Sequence, residues 1–205
     1  VKVLLIGFGP FPGAPINPST LLVKALARRR RPALADIVRT THILTTAYAA
    51  ADCDLPQLMA KKPDVVLMFG LASRRRHVCI ETRARNALST LFPDAHGYRP
   101  KSAVIVKGGP ASLRGNAPFA RLLGTLHGSS IPARLSGDAG RYLCNYAYWR
   151  ALEQRCGVHQ LIQFVHIPPL RFAPKRRHKR RLPSFTRTLA VAETLLLALI
   201  AASRR

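Results

Sequence analysis

Residues 64–70 read Asp64-Val65-Val66-Leu67-Met68-Phe69-Gly70, an unbroken apolar run closed by a glycine. A strand with one wet face alternates apolar and polar side chains. An uninterrupted run suits a strand covered on both faces, as in a parallel sheet between helices. Working outward, Val1–Ile6 reads as a strand and Gly7–Pro18 as a loop crowded with Gly and Pro. Ser19–Arg30 sets Leu21, Leu22, Ala25 and Leu26 on one helical face. Ile37–Leu44 reads as a strand and Ala50–Lys61 as a helix. Beyond a Gly/Pro-rich middle (Pro93–Gly115), Asn116–His127 reads as a helix, Ile131–Leu135 as a strand, Tyr142–Arg155 as a helix and Leu161–Ile167 as a strand. A basic, proline-broken loop (Pro168–Pro183) precedes a closing helix, Phe185–Ser203. This alternation predicts an α/β fold: a three-layer α/β/α sandwich around a central mixed, mostly parallel sheet. Sites in such sheets lie at the carboxyl ends of strands, here Gly7, Gly70 and His166.

The chain has 205 residues, 48% of them apolar, enough to bury a core as a single domain over residues 1–205. Thirty-three Lys and Arg against nine Asp and Glu give a formal charge of +24, which attracts polyanions. Interleaved aromatic or RNA-binding motifs are absent, leaving non-specific charge attraction rather than sequence-specific nucleic-acid recognition. The basic runs are Arg28–Arg31, Arg74–Arg76, Lys175–Arg181 and Arg204–Arg205. The first and last read as solvated surface, the middle two as cations around a site entrance. Acids are scarce, with glutamate only at Glu81, Glu153 and Glu193. Cys53, Cys79, Cys144 and Cys156 form no CxxC pair and have no metal-ligand spacing. They read as reduced thiols of a cytoplasmic protein without metal or cofactor. Val1–Ile6 is too short for a signal-peptide core, and Leu195–Ala202 is far shorter than a membrane span, so a soluble chain is expected. Numbering starts at Val1 rather than Met, the expectation being a removed first residue or an offset count.

Chemistry has three candidate locations. Gly7-Phe8-Gly9-Pro10-Phe11, with Asn17-Pro18-Ser19 after it, reads either as a structural turn or as a rigid aromatic floor for a small neutral ligand. Pro10 and Pro12 have no N–H for a phosphate, which argues against a phosphate cradle. Cys144 stands near a helix N-terminus, where the dipole should favour a thiolate, whereas the other three cysteines read as ordinary buried thiols. His166 ends an apolar strand, where a core histidine is the bland reading and a base for a thiol the sharper one. Glu81 reads either as the carboxylate that orients the imidazole or as a salt-bridge partner of Arg83 or Arg85.

Taken in order, GFGPF with NPS (Gly7–Phe11, Asn17–Ser19), the strand and loop Pro63–Ala72, Glu81 followed by Asn86, DAGRYLCN (Asp138–Asn145) and VHIP (Val165–Pro168) resemble one family over nearly the whole chain. That family is the pyrrolidone carboxyl peptidases, or pyroglutamyl peptidases of type I. The resemblance implies an α/β/α sandwich, often a dimer or tetramer, that removes an N-terminal pyroglutamyl residue from peptides. It implies Cys144 as nucleophile, His166 as base and acid and Glu81 as orienting carboxylate, with Phe8, Phe11, Asn17, Leu71, Tyr142 and Leu143 around the substrate. A lactam has no α-ammonium, which suits an apolar aromatic slot.

Two departures stand out. Ser73-Arg74-Arg75-Arg76 replaces a glycine-rich stretch, and Leu91 stands where the family carries an arginine near the oxyanion site. On a strand, Arg83 and Arg85 share the direction of Glu81, so either could reach the site or merely pair with Glu81; slow turnover is the expectation unless one of them replaces the lost donor. The rival readings are an amidase of the same scaffold acting on another blocked N-terminus or cyclic amide, and a catalytically weak scaffold whose basic surface binds polyanions.

Overall fold

A computed structural model describes residues 1–171 and 182–204. The elements are β1 (Lys2–Phe8), α1 (Pro18–Ala27), β2 (Val38–Leu44), α2 (Tyr48–Ala60), β3 (Val65–Leu71), β4 (Val78–Glu81) and β5 (Arg83–Arg85). After these come β6 (Ser112–Arg114), α3 (Phe119–Thr125), β7 (Ala133–Ser136), α4 (Leu143–Glu153), β8 (Leu161–Ile167) and α5 (Phe185–Ser203). The main sheet has the order β2-β1-β3-β8-β4-β7. The first four strands are mutually parallel; β4 runs antiparallel to β8 and parallel to β7. This is the mixed, mostly parallel sheet that the alternation predicts. β5 and β6 make a separate antiparallel pair.

The period of two along each strand sorts side chains between two cores. Leu5, Leu67, Ile80 and Val165 pack with Leu22 and Leu26 of α1, Leu122 of α3 and Leu195 and Leu199 of α5. Ile6, Phe8, Met68 and Phe164 pack on the opposite face with Leu55 of α2 and Leu143 and Tyr148 of α4. By the same alternation Gly70, Glu81 and His166 share this second face with Phe8, beneath the start of α4. The strand order reverses between β1 and β3, the position where open α/β sheets leave a crevice.

Local chemistry explains the borders. Asn17 caps α1, its side chain accepting from Ser19 N–H at 3.2 Å, and Pro18 takes the first helical turn, where its missing N–H costs nothing. α3 begins at Phe119 rather than Asn116, after Pro118, because the residue before a proline is pushed out of the helical region. The strand expected through Glu81, Arg83 and Arg85 is divided into β4 and β5, and β6 stands inside the stretch read as a Gly/Pro-rich middle.

The basic runs differ from expectation. Arg29 and Arg31 are not merely solvated: both hold Glu193 of α5, each at 2.8 Å. Arg204 pairs with Asp36 at 2.6 Å. Lys175–Arg181 lies outside the described residues. Cys53 and Cys156 are exposed, not buried, while Cys79 is buried as expected. The run Leu195–Ala202 belongs to the 19-residue α5, which by length and composition alone could cross a membrane. Here α5 buries Val191, Leu195, Leu196 and Leu199 in the core, as a core helix does.

Candidate active site

His166 is the sixth residue of β8, and Cys79 of the antiparallel β4 stands directly opposite it. Glu81, two residues on, opposes Phe164 and so lies one pleat further in on the same face. That register accounts for a carboxylate with 0% exposure. His166 Nδ1 meets Glu81 Oε1 at 2.8 Å, which leaves Nε2 as the nitrogen free for another partner. Burial pushes the Glu81 carboxyl up, but the hydrogen bonds from His166 and Ser136 and the Arg75 cation outweigh it and hold it below the ordinary carboxylate range.

Cys144 is the second residue of α4. The preceding segment turns at Gly140, whose φ of +88° is open to glycine at little cost. Gly70 lies against the thiol, for a Cβ built there would stand 2.8 Å from Cys144 Sγ and 2.8 Å from Phe164 Cζ. The expectation of a thiolate is corrected: burial pushes the Cys144 thiol up to about 12, and the Glu81 charge adds to this. Its own backbone N–H and Arg75 pull it down without prevailing. No hydrogen bond joins the thiol to the imidazole among the described residues, although both line one cavity.

That cavity has a volume of about 300 Å³, at the small end for ligand sites. Phe8, Phe11, Asn17, Leu71, Tyr142, Leu143, Cys144 and His166 all line it, so eight of the nine singled-out residues open onto one space, and the ninth, Glu81, stands behind His166. Phe8 is 1% exposed and forms the floor against Phe164, at a ring-centroid distance of 5.9 Å. Phe11 instead faces Tyr142, at 6.0 Å. Tyr142 is fixed by donating its hydroxyl to the Pro93 carbonyl at 2.7 Å. Asn17 has structural duties as well: its Nδ2 donates to the Gly9 carbonyl, which also accepts from Thr46 Oγ1. A larger cavity, about 540 Å³, is lined by Tyr48, Asp94, His96, Tyr98 and Tyr146, and contains neither the thiol nor His166. Among the described residues no three His, Cys, Asp or Glu side chains are grouped to hold a metal ion.

The arginine expectations are overturned. The strand breaks at Thr82, so Arg83 and Arg85 leave the main sheet. Arg83 donates to the Gly137 carbonyl at 2.9 Å, and Arg85 pairs with Asp138 at 3.1 Å. Glu81 is held instead by Arg75 Nη1 at 2.7 Å. The sequence marks Arg75 only as one of three cations at the site entrance, because a loop has no period to indicate which of them turns inward to Glu81. Leu91 is 73% exposed and does not line the cavity. Asn86, quoted with Glu81 as a motif, staples a loop: its Oδ1 accepts from Ile105 and Val106 N–H.

With this geometry in place, comparison with known proteins is informative. A sequence profile of the family described as pyroglutamyl peptidase matches residues 1–205. The chain belongs to the pyroglutamyl peptidase family. The pyrrolidone-carboxylate peptidase of Thermococcus kodakarensis is 34% identical over 171 residues, covering 82% of this chain and 81% of the relative. That of Vibrio parahaemolyticus is 30% identical over 204 residues, covering 96% and 91%. Among solved structures, a mutant pyrrolidone carboxyl peptidase from Pyrococcus furiosus superposes with a TM-score of 0.84 at 27% identity, covering 98% of this chain and 99% of that one. Pyroglutamyl peptidase I from Bacillus amyloliquefaciens gives 0.81 at 28% identity, covering 100% and 97%. As a member of the pyroglutamyl peptidase family, the chain is a cysteine-type exopeptidase and a hydrolase.

Proposed function

We propose that the chain removes an N-terminal pyroglutamyl residue from peptides, with Cys144 as nucleophile, His166 as base and acid, and Glu81 as orienting carboxylate. The observation that carries this reading is the 2.8 Å contact from His166 Nδ1 to a carboxylate with 0% exposure, beside a cavity shared with Cys144. Glu81 fixes the imidazole so that Nε2 remains for the thiol. Because burial keeps Cys144 protonated, its proton passes to Nε2 as Sγ attacks the pyroglutamyl carbonyl carbon. The oxyanion falls to backbone N–H groups in the first turn of α4, where Cys144 is the second residue. Collapse breaks the C–N bond, His166 returns the proton to the leaving amine, and a thioester remains. Water, deprotonated by His166, attacks the thioester to release pyroglutamate and the thiol.

The cavity supports a lactam. Phe11 and Tyr142 flank it over the Phe8 floor. Among the described residues no acid lines it, while Arg74 and Arg75 do, so a free α-ammonium would enter without a counter-charge and against two cations. Hydrolysis of a fluorogenic pyroglutamyl amide, compared with alanyl, prolyl and acetyl analogues, tests the proposal. Cleavage confined to the pyroglutamyl compound is expected. Preference for another blocked or cyclic amide would favour the amidase reading instead.

A further inference from the structure

We propose that Arg75 is a positioning residue of this site, holding the Glu81 carboxylate in register with both His166 and the segment that leads to Cys144; this rests on the triad reading given above. Arg75 lies in the loop between β3 and β4, half-buried between the exposed Arg74 and Arg76. Its guanidinium has two separate uses. Nη1 donates to Glu81 Oε1 at 2.7 Å and lies 3.4 Å from Ser136 Oγ. Nη2 donates to the Asp138 carbonyl at 2.7 Å. Asp138 opens the stretch that turns at Gly140 and enters α4 at Leu143, so one planar fork links the carboxylate to the nucleophile's own lead-in.

The Glu81 carboxylate is lopsided. Arg75 and His166 both converge on Oε1, while Oε2 is buried and has no hydrogen-bond partner among the described residues. Without Arg75, nothing but the hydrogen bonds with His166 and Ser136 would set the rotation of a group that is out of reach of water. The shared oxygen also couples the charges. Glu81 stabilises an imidazolium at His166, and the Arg75 cation on the same oxygen offsets part of that field. His166 thus remains able to take a proton from a thiol that gives it up reluctantly.

Among the described residues, the other ionisable groups around His166 are Cys79 opposite it on β4, Cys144 on α4, and Tyr142 and the exposed Arg74 on the cavity wall. Burial pushes both thiols up, the Arg75 cation opposing it at each. Replacing Arg75 by a neutral side chain therefore removes one positive charge near His166 and leaves Glu81 acting on the imidazole alone. The acid limb of the kcat/KM profile then moves to higher pH.

The test compares wild type, Arg75→Met and Arg75→Lys on a pyroglutamyl amide across pH, with far-UV circular dichroism and thermal melting as fold controls. Arg75→Met is expected to lose about 10- to 100-fold in kcat with little change in KM, because the groups that bind the ring are untouched. Its acid limb moves up. Arg75→Lys keeps a cation but not the fork, so the limb returns toward the wild-type position while kcat recovers only in part. A folded Arg75→Met enzyme with unchanged kcat and an unmoved limb would overturn the proposal. So would a loss confined to KM, which would make Arg75 a substrate contact. If Arg75→Met fails to fold, Arg75→Lys decides alone: full wild-type kcat in that variant would show that the fork is not needed. A Cys144→Ser enzyme that remained active would instead remove the triad, and this proposal with it.

Discussion

At the scale of single residues, the site depends on a glycine and on a protonated thiol. Any side chain at Gly70 would meet Cys144 Sγ and the Phe164 ring, each 2.8 Å from the new Cβ. Both are short or packed, so neither can yield without displacing the nucleophile. Gly70→Ala should lower kcat/KM by about 100-fold, as a misplacement near 1 Å does, while the protein still folds. Steady-state kinetics with a melting curve checks this. The thiol at about 12 implies a labelling order. Iodoacetamide at neutral pH should reach the exposed Cys53 and Cys156 first, with labelling of Cys144 accelerating as pH rises. Peptide mapping over a pH series reads the order directly. On the proposed mechanism, His166→Ala removes the proton carrier, whereas Glu81→Gln only misorients it. The second variant should retain measurable turnover after a loss of roughly 10⁴-fold in kcat, and the first should retain less.

At the scale of elements, the account turns on how helices and strands deliver those side chains. The borders of β8 and α5 are legible in the sequence, because one is a mostly apolar, β-branched run and the other a long amphipathic one. Phe8, Cys144 and His166 could be assigned to strand or helix ends for the same reason. β4 and β5 were not legible: they are four and three residues long, β5 is interrupted by arginines, and too few positions repeat to reveal a period. The antiparallel direction of β4, which buries Glu81 one pleat inside His166, depends on pairing with a strand 80 residues away in the chain. No local pattern encodes that, so the sequence points to the arginines two and four residues after Glu81 and not to the one six before it. The ion pairs of α5 provide an element-scale prediction. Hydrogen bonding from Arg31, supported by Arg29, holds the Glu193 carboxyl below the ordinary range despite its burial. A depressed folded value stabilises above the unfolded carboxyl value, about 4.3, and this is lost as pH falls through the folded value. Glu193→Gln should therefore lower stability at neutral pH and do so less in acid, which urea melts at several pH values would measure.

At the scale of the whole molecule, the surplus of +24 meets a site that keeps part of it close at hand. Of the run Arg74–Arg76, Arg75 is committed to Glu81 and Asp138, whereas Arg74 is exposed on the cavity wall. Such a rim attracts acidic peptides over a Debye length. Added salt should therefore reduce kcat/KM for peptides with acidic residues after the pyroglutamyl group and leave neutral ones nearly unchanged; equal dependence would mean that the rim does not steer. The central claim, that Cys144 is the nucleophile of a pocket built for a lactam, is tested most directly with a pyroglutamyl chloromethyl ketone and peptide mapping. The account predicts one adduct per chain, on Cys144, with activity lost in proportion and protection by substrate, while the more exposed Cys53 and Cys156 stay free. Inactivation with the adduct on Cys53, Cys79 or Cys156, or modification of Cys144 with activity intact, would contradict it.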